Sequence, residues 1–169
     1  MSADVLFPLA VDDVAVTTDD WYTPRWIFDA IGFTFDLDVA APVLADSRTV
    51  PAVRHLTILD DGLATPWAGN IWCNPPYSEA APWVDKWAAH SDGMILLPAV
   101  PEVRWLGVLL NAADAFTLLA VDFIRPGGGV ARLRWPSILA ARGADCSAAL
   151  ARVARADNYA AGGFLRGAA

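Results

Sequence analysis

Apolar and polar positions alternate from Phe33 to Ala41, and a period of two residues predicts a β-strand in that segment. A continuous apolar run that ends at Cys73 indicates a buried strand, and similar runs indicate strands over residues 93–98, 115–120 and 138–141. Apolar residues spaced three or four apart predict helices over residues 23–31, 80–89, 103–113 and 144–161. This mixture predicts an α/β fold with one domain over residues 19–169, preceded by a loose arm over residues 1–18.

The strand that ends at Cys73 is followed at once by Asn74-Pro75-Pro76-Tyr77. Two successive prolines cannot donate to a sheet, so the chain should leave it at Asn74 in a stiff loop at the carboxyl end of the strand. Open α/β sheets bind ligands at such ends. An Asn oxygen and a nearby backbone carbonyl can accept hydrogen bonds from an exocyclic amino group, and an aromatic ring offers a stacking face. The loop therefore suits an enzyme that modifies a flipped base, although a lone Asn-Pro pair would indicate only a turn.

Two carboxylates, Asp36 and Asp38, lie near the end of the first predicted strand, where burying a charge without a partner is costly. Such a group commonly binds the amine or a hydroxyl of a cofactor, and an edge strand with an exposed polar face is the alternative. Residues 42–60 indicate loop and short helix, with one short strand over Leu56–Leu59. Asp60-Asp61 then offers a second acidic group for a cofactor, or an ordinary Asp-Gly turn.

Three glycines, Gly127, Gly128 and Gly129, follow the fifth predicted strand. No Lys-Ser/Thr pair or helix start comes after them, so the pattern favours a hairpin tip over a phosphate-binding loop.

The composition is that of a globular chain, with 56% hydrophobic residues and a length of 169 residues. Cys73 and Cys146 stand alone, as do His55 and His90, so the sequence indicates reduced thiols in a cytosolic protein and no metal site. The first residues lack the basic start of a signal peptide, and no apolar run is long enough for a membrane span.

The net charge of −7 argues against nucleic-acid binding, which usually needs a basic face. The arginines are nevertheless concentrated in the last third, at positions 125, 132, 134, 142, 152, 155 and 166. They form either a basic face beside an acidic remainder or an ordinary set of surface residues.

Four segments together resemble a known family. The first, Asn74-Pro75-Pro76-Tyr77, is similar to the catalytic motif of amino-group methyltransferases. The second, Asp20-Trp21-Tyr22-Thr23-Pro24, is similar to the family's entry motif, and residues 35–41 are similar to its first cofactor strand. The fourth, Asp60-Asp61-Gly62-Leu63, is similar to the acidic segment before the catalytic strand. The pattern is similar to that of the short phage-type DNA N6-adenine methyltransferases, the Dam-like family, over most of the chain.

The resemblance implies a trimmed Rossmann-like class I methyltransferase fold, a single mixed sheet with flanking helices. It implies S-adenosylmethionine as cofactor, no metal, double-stranded DNA as partner, and a phage- or prophage-encoded protein in the bacterial cytoplasm. The implied catalytic residues are Asn74, Pro75, Pro76 and Tyr77. The implied cofactor-binding residues are Thr23, Pro24, Asp36, Asp38, Ala40, Asp60 and Asp61. The implied DNA-binding residues are Arg125, Arg132 and Arg134.

The sequence departs from the wider class in one respect, because no glycine-rich turn follows the first strand. Two alternatives to DNA adenine methylation stay open. One is methylation of RNA adenine, cytosine N4 or a protein glutamine amide, and the other is a binding module that keeps the pocket without turnover.

Overall fold

The computed structural model describes residues 19–156 and the backbone of residues 164–165, so the predicted arm over 1–18 and the predicted helix beyond 156 lie outside it. The strands are β1 (Phe35–Asp38), β2 (Ala52–His55), β3 (Ile71–Cys73), β4 (Gly93–Pro98), β5 (Ala115–Leu119), β6 (Asp122–Ile124), β7 (Val130–Arg132), β8 (Ser137–Arg142) and β9 (Phe164–Leu165). The helices are α1 (Arg25–Ile31), α2 (Ala80–Ala89), α3 (Arg104–Ala112) and α4 (Ala144–Ala156).

Seven strands form one mixed sheet in the order β2-β1-β3-β4-β8-β5-β9. Strands β2, β1, β3 and β4 are parallel to one another, whereas β8 runs antiparallel to both β4 and β5. The chain passes from β1 to β2 on one side and then to β3 on the other side of β1. This change of direction is a topological switch point, where open α/β sheets bind ligands at the carboxyl ends of their strands.

Apolar side chains cover both faces of this sheet. On one face, Ile27 of α1 and Leu150 of α4 pack with Trp72 and Met94 of the strands. On the other face, Trp87 of α2 and Leu109 of α3 pack with the strands that carry Ile95 and Leu97. Burial on both faces explains why these strands read as continuous apolar runs. The predicted fold, a mixed sheet with flanking helices, is confirmed. In addition, β6 and β7 form a separate two-stranded sheet that was not predicted from the sequence.

Most predicted elements are present within a residue or two of their predicted bounds. Helix α1 ends at Gly32, whose φ of 76° lies in the left-handed region that glycine adopts without strain. The glycines at 127–129 lie at the tip of the β6–β7 hairpin, as predicted. The core is trimmed as the resemblance implied, since the only strand between β1 and β3 in this part of the described chain is β2.

The predicted strand over Leu56–Leu59 is wrong. The strand lies four residues earlier, in β2, and pairs in parallel with β1. The backbone N–H and the hydroxyl of Thr57 both donate to the Asp60 carboxylate at 2.8 Å, which bends residues 57–60 into a turn and leaves Ile58 and Leu59 exposed.

The β6–β7 hairpin leaves the sheet at the edge formed by the carboxyl ends of the parallel strands, where the switch point also lies. Strands β4 and β5 both pair antiparallel with β8, so β5 is parallel to β4 and its carboxyl end lies at that edge. The hairpin then pairs with the segment before α1, through Tyr22 and Ile124. No helix among the described residues is long and apolar enough to cross a membrane.

Candidate active site

A cavity of about 620 Å³ lies at the carboxyl ends of β1, β2 and β3. Its walls come from the residues after these strands and from residues 19–23, which we name the entry segment. Cavities of roughly 300–1,000 Å³ with a few polar groups are typical of small-molecule sites. The position at the switch point and the volume together identify this cavity as the candidate ligand site.

The loop after β3 lies against the cavity as the two prolines predicted. Asn74 and Pro76 line the cavity, and Pro75 is buried behind them. Tyr77 lines an adjoining hollow together with Trp105 of α3. The loop, residues 74–77, therefore separates the cavity from the hollow next to it.

The Asn74 amide is held by three hydrogen bonds. Its Nδ2 donates to the backbone carbonyl of Trp21 and, at 3.3 Å, to the Thr23 hydroxyl. Its Oδ1 accepts from the Tyr77 hydroxyl at 2.8 Å. Thr23 is only 1% exposed, so the bonds that fix Asn74 include a buried partner on a segment some fifty positions earlier in the chain.

An aromatic cluster surrounds the loop. The rings of Trp21 and Tyr77 are nearly parallel, at 21°, with centroids 6.5 Å apart, and Phe123 of the hairpin contacts both edge-on. Burial raises the pKa of Tyr77 well above its ordinary value, so its hydroxyl stays protonated and donates to Asn74. The Ser78 hydroxyl also donates to Asp19, which gives the entry segment and the loop a further contact.

Asp38 is the buried carboxylate of the cavity, with 1% of its surface exposed. Its Oδ1 accepts from the Ala40 backbone N–H at 3.3 Å. Its Oδ2 lies 3.5 Å from Nδ1 of His55, and neither atom has a hydrogen bond among the described residues. Burial raises the pKa of Asp38, while His55 opposes the shift. A buried acceptor without a donor is costly unless a ligand supplies one.

Of the two acidic residues at 60–61, only Asp61 lines the cavity. The Asp60 carboxylate is used by Thr57, whose two hydrogen bonds lower the pKa of Asp60. The following residues are fixed from outside, because the Lys86 ammonium of α2 donates to the carbonyls of Gly62, Leu63 and Thr65. The only lysine of the chain thus holds one wall of the cavity in place.

The structure brings Thr23, Asp38, Ala40 and Asp61 to the cavity and leaves out Pro24, Asp36 and Asp60. Pro24 is the N-cap residue immediately before α1, and the Asp36 carboxylate accepts from the Asn70 backbone N–H at 2.8 Å, at the opposite end of β3. Predicted alternation put Asp36 and Asp38 in equivalent environments. Only Asp38, the last residue of β1, reaches the edge where the cavity lies.

The three arginines predicted to bind nucleic acid lie in or next to the hairpin. Arg125 stacks over the Trp21 ring at 4.4 Å and donates to the Asp20 carbonyl at 3.1 Å. Arg132 forms a two-point ion pair with Asp122 across the hairpin, at 2.7 and 2.8 Å. Arg134 is exposed beside Trp135.

Sequence reasoning missed the role of Trp21, whose carbonyl and ring contact Asn74, Tyr77 and Arg125. The available signal was an aromatic residue two positions before Thr23, in a segment already compared with an entry motif. In the described part of the chain, no three His, Cys, Asp or Glu side chains come close enough to hold a metal ion.

The sequence matches the model of the DNA N-6-adenine-methyltransferase (Dam) family over residues 13–134. The matched region contains the entry segment, the cavity residues, the loop after β3 and the arginines of the hairpin. No curated protein matches the chain.

Proposed function

Because the chain belongs to the DNA N-6-adenine-methyltransferase (Dam) family, we propose that it transfers a methyl group from S-adenosylmethionine to N6 of adenine in double-stranded DNA. The observation that carries the proposal is the pairing, in one cavity, of a buried carboxylate whose Oδ2 has no hydrogen bond among the described residues with an Asn amide at the start of a Pro-Pro loop. The first suits the cofactor and the second suits the target amino group.

The cavity residues fit S-adenosylmethionine. Asp38 Oδ2 has no hydrogen bond among the described residues, with His55 Nδ1 lying 3.5 Å away, and can accept from the cofactor's ammonium or a ribose hydroxyl, while Asp61 offers a second acceptor. Val39, Leu44, Val50 and Ile58 supply apolar walls. Gly62 packs so closely that an added Cβ would lie 2.2 Å from the Val39 carbonyl oxygen, so this wall depends on glycine. When bound, the cofactor supplies an electrophilic methyl group on its sulfonium.

The loop orients the nucleophile. Asn74 Oδ1 and the Pro75 carbonyl accept hydrogen bonds from the adenine amino group and direct its nitrogen lone pair toward the methyl group. The nitrogen held in this way would take the methyl group as its bond to sulfur breaks, and the amino group would then release one proton to water. The chain contributes mainly positioning, which can remove about 7 kcal/mol or more of a barrier in favourable cases. The Tyr77 ring stacks on the extruded base.

The hairpin is the proposed DNA contact. It leaves the sheet at the edge where the cavity lies and carries Arg125, Arg132 and Arg134 in or beside its strands. A local basic element of this kind can bind phosphates although the whole chain is acidic.

The test is incubation of the protein with methyl-labelled S-adenosylmethionine and separate pools of duplex DNA, RNA and protein. We expect label in DNA, as N6-methyladenine after digestion. Label as N4-methylcytosine, in RNA or in protein amide would identify another substrate for the same loop. Tight cofactor binding without label in any pool would instead identify a binding module.

A further inference from the structure

We propose that the entry segment and the Tyr77 hydroxyl hold the Asn74 amide in the one orientation that presents its oxygen, and never its nitrogen, to the target amino group. This inference rests on the proposed function and adds three positioning groups to it: the Trp21 backbone carbonyl, the Thr23 hydroxyl and the Tyr77 hydroxyl.

The orientation follows from the partner of Nδ2. The Trp21 backbone carbonyl can only accept a hydrogen bond, so the Asn74 atom facing it must carry hydrogens. A flipped amide would place Oδ1 against that carbonyl oxygen, with two acceptors in contact and no proton between them. The entry segment therefore selects one of the two amide orientations.

A count of hydrogen-bonding capacity then leaves one function for the side chain. An amide NH₂ has two donors, and both are used, one by Trp21 and one by Thr23. The oxygen has two acceptor positions, and Tyr77 uses one. What remains is a single acceptor position on Oδ1. That is what an amino N–H of the target base requires.

The assignment changes the expected role of Thr23. The residue lines the cavity, and the family resemblance implied that it binds cofactor, but its hydroxyl lies 3.3 Å from Asn74 Nδ2. In this inference Thr23 acts through Asn74. The same holds for the Tyr77 hydroxyl, which has a separate role from the stacking face of its ring.

The first test separates positioning from cofactor contact. Thr23→Val keeps the shape and removes the acceptor, and Tyr77→Phe keeps the ring and removes the donor. At saturating cofactor and DNA we expect each change to reduce single-turnover methylation about tenfold, as losing about 1.4 kcal/mol of transition-state stabilisation does. Cofactor affinity should change less than about twofold, and Thr23→Ser should recover most of the rate.

The matched control is Thr117→Val in β5. Thr117 is equally buried, at 1% exposure, lies outside the cavity lining, and its hydroxyl has no hydrogen bond among the described residues. The single-turnover methylation rate of Thr117→Val should equal that of the wild type. Weaker cofactor binding by Thr23→Val with an unchanged rate at saturation would overturn the inference, because Thr23 would then be a cofactor contact. An unchanged rate in Tyr77→Phe would remove its hydroxyl from the mechanism.

The second test does not depend on methylation, so it distinguishes failure of this inference from failure of the proposed function. The two side-chain amide hydrogens of Asn74 give NMR signals that can be assigned by their loss in Asn74→Ala. Because both hydrogens are bonded, they should exchange slowly with water, and Thr23→Val should accelerate exchange of one of them. Fast exchange of both in the wild-type protein would contradict the inference even if DNA is methylated.

Discussion

At the scale of single residues, Asp38 and Asn74 line the same cavity, and the proposed function gives them separate tasks. Asp38 is the last residue of β1 and is buried, and its Oδ2 has no hydrogen bond among the described residues, with His55 Nδ1 lying 3.5 Å away. Asn74 is the first residue after β3 and is held from three sides. Replacing Asp38 should therefore change the affinity for the cofactor, whereas replacing Asn74 should change the turnover rate.

Asn74→Ala should leave cofactor affinity nearly unchanged and reduce methylation by about a hundredfold, the size seen when one oriented polar group is removed from an active site. The loss of its hydrogen bonds should also destabilise the fold by about 1–2 kcal/mol, since Trp21 and Tyr77 lose a partner. Single-turnover methylation and calorimetric titration with cofactor measure the two effects. Turnover equal to that of the wild type would show that the loop is only a turn.

Asp38→Asn should weaken cofactor binding about tenfold to a hundredfold, the range for a hydrogen bond to a charged group. Burial raises the pKa of Asp38 and so favours its neutral form at acid pH. The charged form binds an ammonium better, so wild-type affinity should rise as pH rises through that pKa. Without ligand, the free energy of unfolding should fall as the pH rises from the pKa of an Asp in the unfolded chain to the raised pKa of Asp38, because the native state holds the proton more tightly than the unfolded chain. Calorimetric titration with cofactor and calorimetric unfolding, each at several pH values, measure both effects in the wild type and in Asp38→Asn. An equal pH dependence in the two proteins would contradict the role of Asp38 in cofactor binding.

At the scale of elements, the parts that the sequence predicts well are those whose pattern is local. Helix α2 and strand β4 have the predicted bounds, since one has a clear apolar face and the other an apolar run stopped by proline. Strand β2 was misplaced because it lies at the edge of the sheet. Its Val53 is 74% exposed, so burial leaves little pattern there, while the apolar Ile58 and Leu59 belong to a turn.

The contacts of Asn74 were beyond the reach of a local pattern. Trp21 and Thr23 lie 53 and 51 positions away along the chain. The sheet order and the pairing of Tyr22 with Ile124 bring the entry segment to the loop. The motif could therefore identify the residue, but only the fold shows what holds it.

The three arginines in or beside the hairpin differ in the contacts they make within the protein, and these contacts decide which variant is the best test of DNA binding. Arg132 pairs with Asp122 and Arg125 contacts the entry segment, so replacing either changes structure as well. Arg134→Ala should weaken DNA binding and reduce the slope of log affinity against log salt by about one, as the loss of one phosphate contact does. Binding titrations at several salt concentrations measure the slope. Arg155→Ala, in the last turn of α4, is the control and should leave it unchanged.

At the scale of the whole molecule, the cavity and the hairpin, which are the proposed sites for the cofactor and for DNA, lie at the same end of the sheet's strands. The parallel strands end there at the cavity, and β5 leads there into the hairpin. Residues of the entry segment lie between them, pairing with the hairpin through Tyr22 and lining the cavity. A net charge of −7 is compatible with DNA binding when a basic element is confined to the edge that meets the duplex.

Because the cavity joins three strands and the entry segment, a bound cofactor should stabilise the whole domain. A ligand at 100 times its dissociation constant stabilises the native state by about 2.7 kcal/mol. For a chain of this size, each kcal/mol raises the melting temperature by about 2–4 °C. S-adenosylmethionine should therefore raise the melting temperature by about 5–10 °C, and its demethylated product should do so too, since it keeps the groups that Asp38 would bind.

Thermal scans of the wild type with each compound measure the shift. Asp38→Asn should show a smaller shift and Asn74→Ala a normal one, because only the first residue is assigned to the cofactor. Equal shifts in all three proteins would mean that the buried carboxylate of this cavity has no part in holding the cofactor.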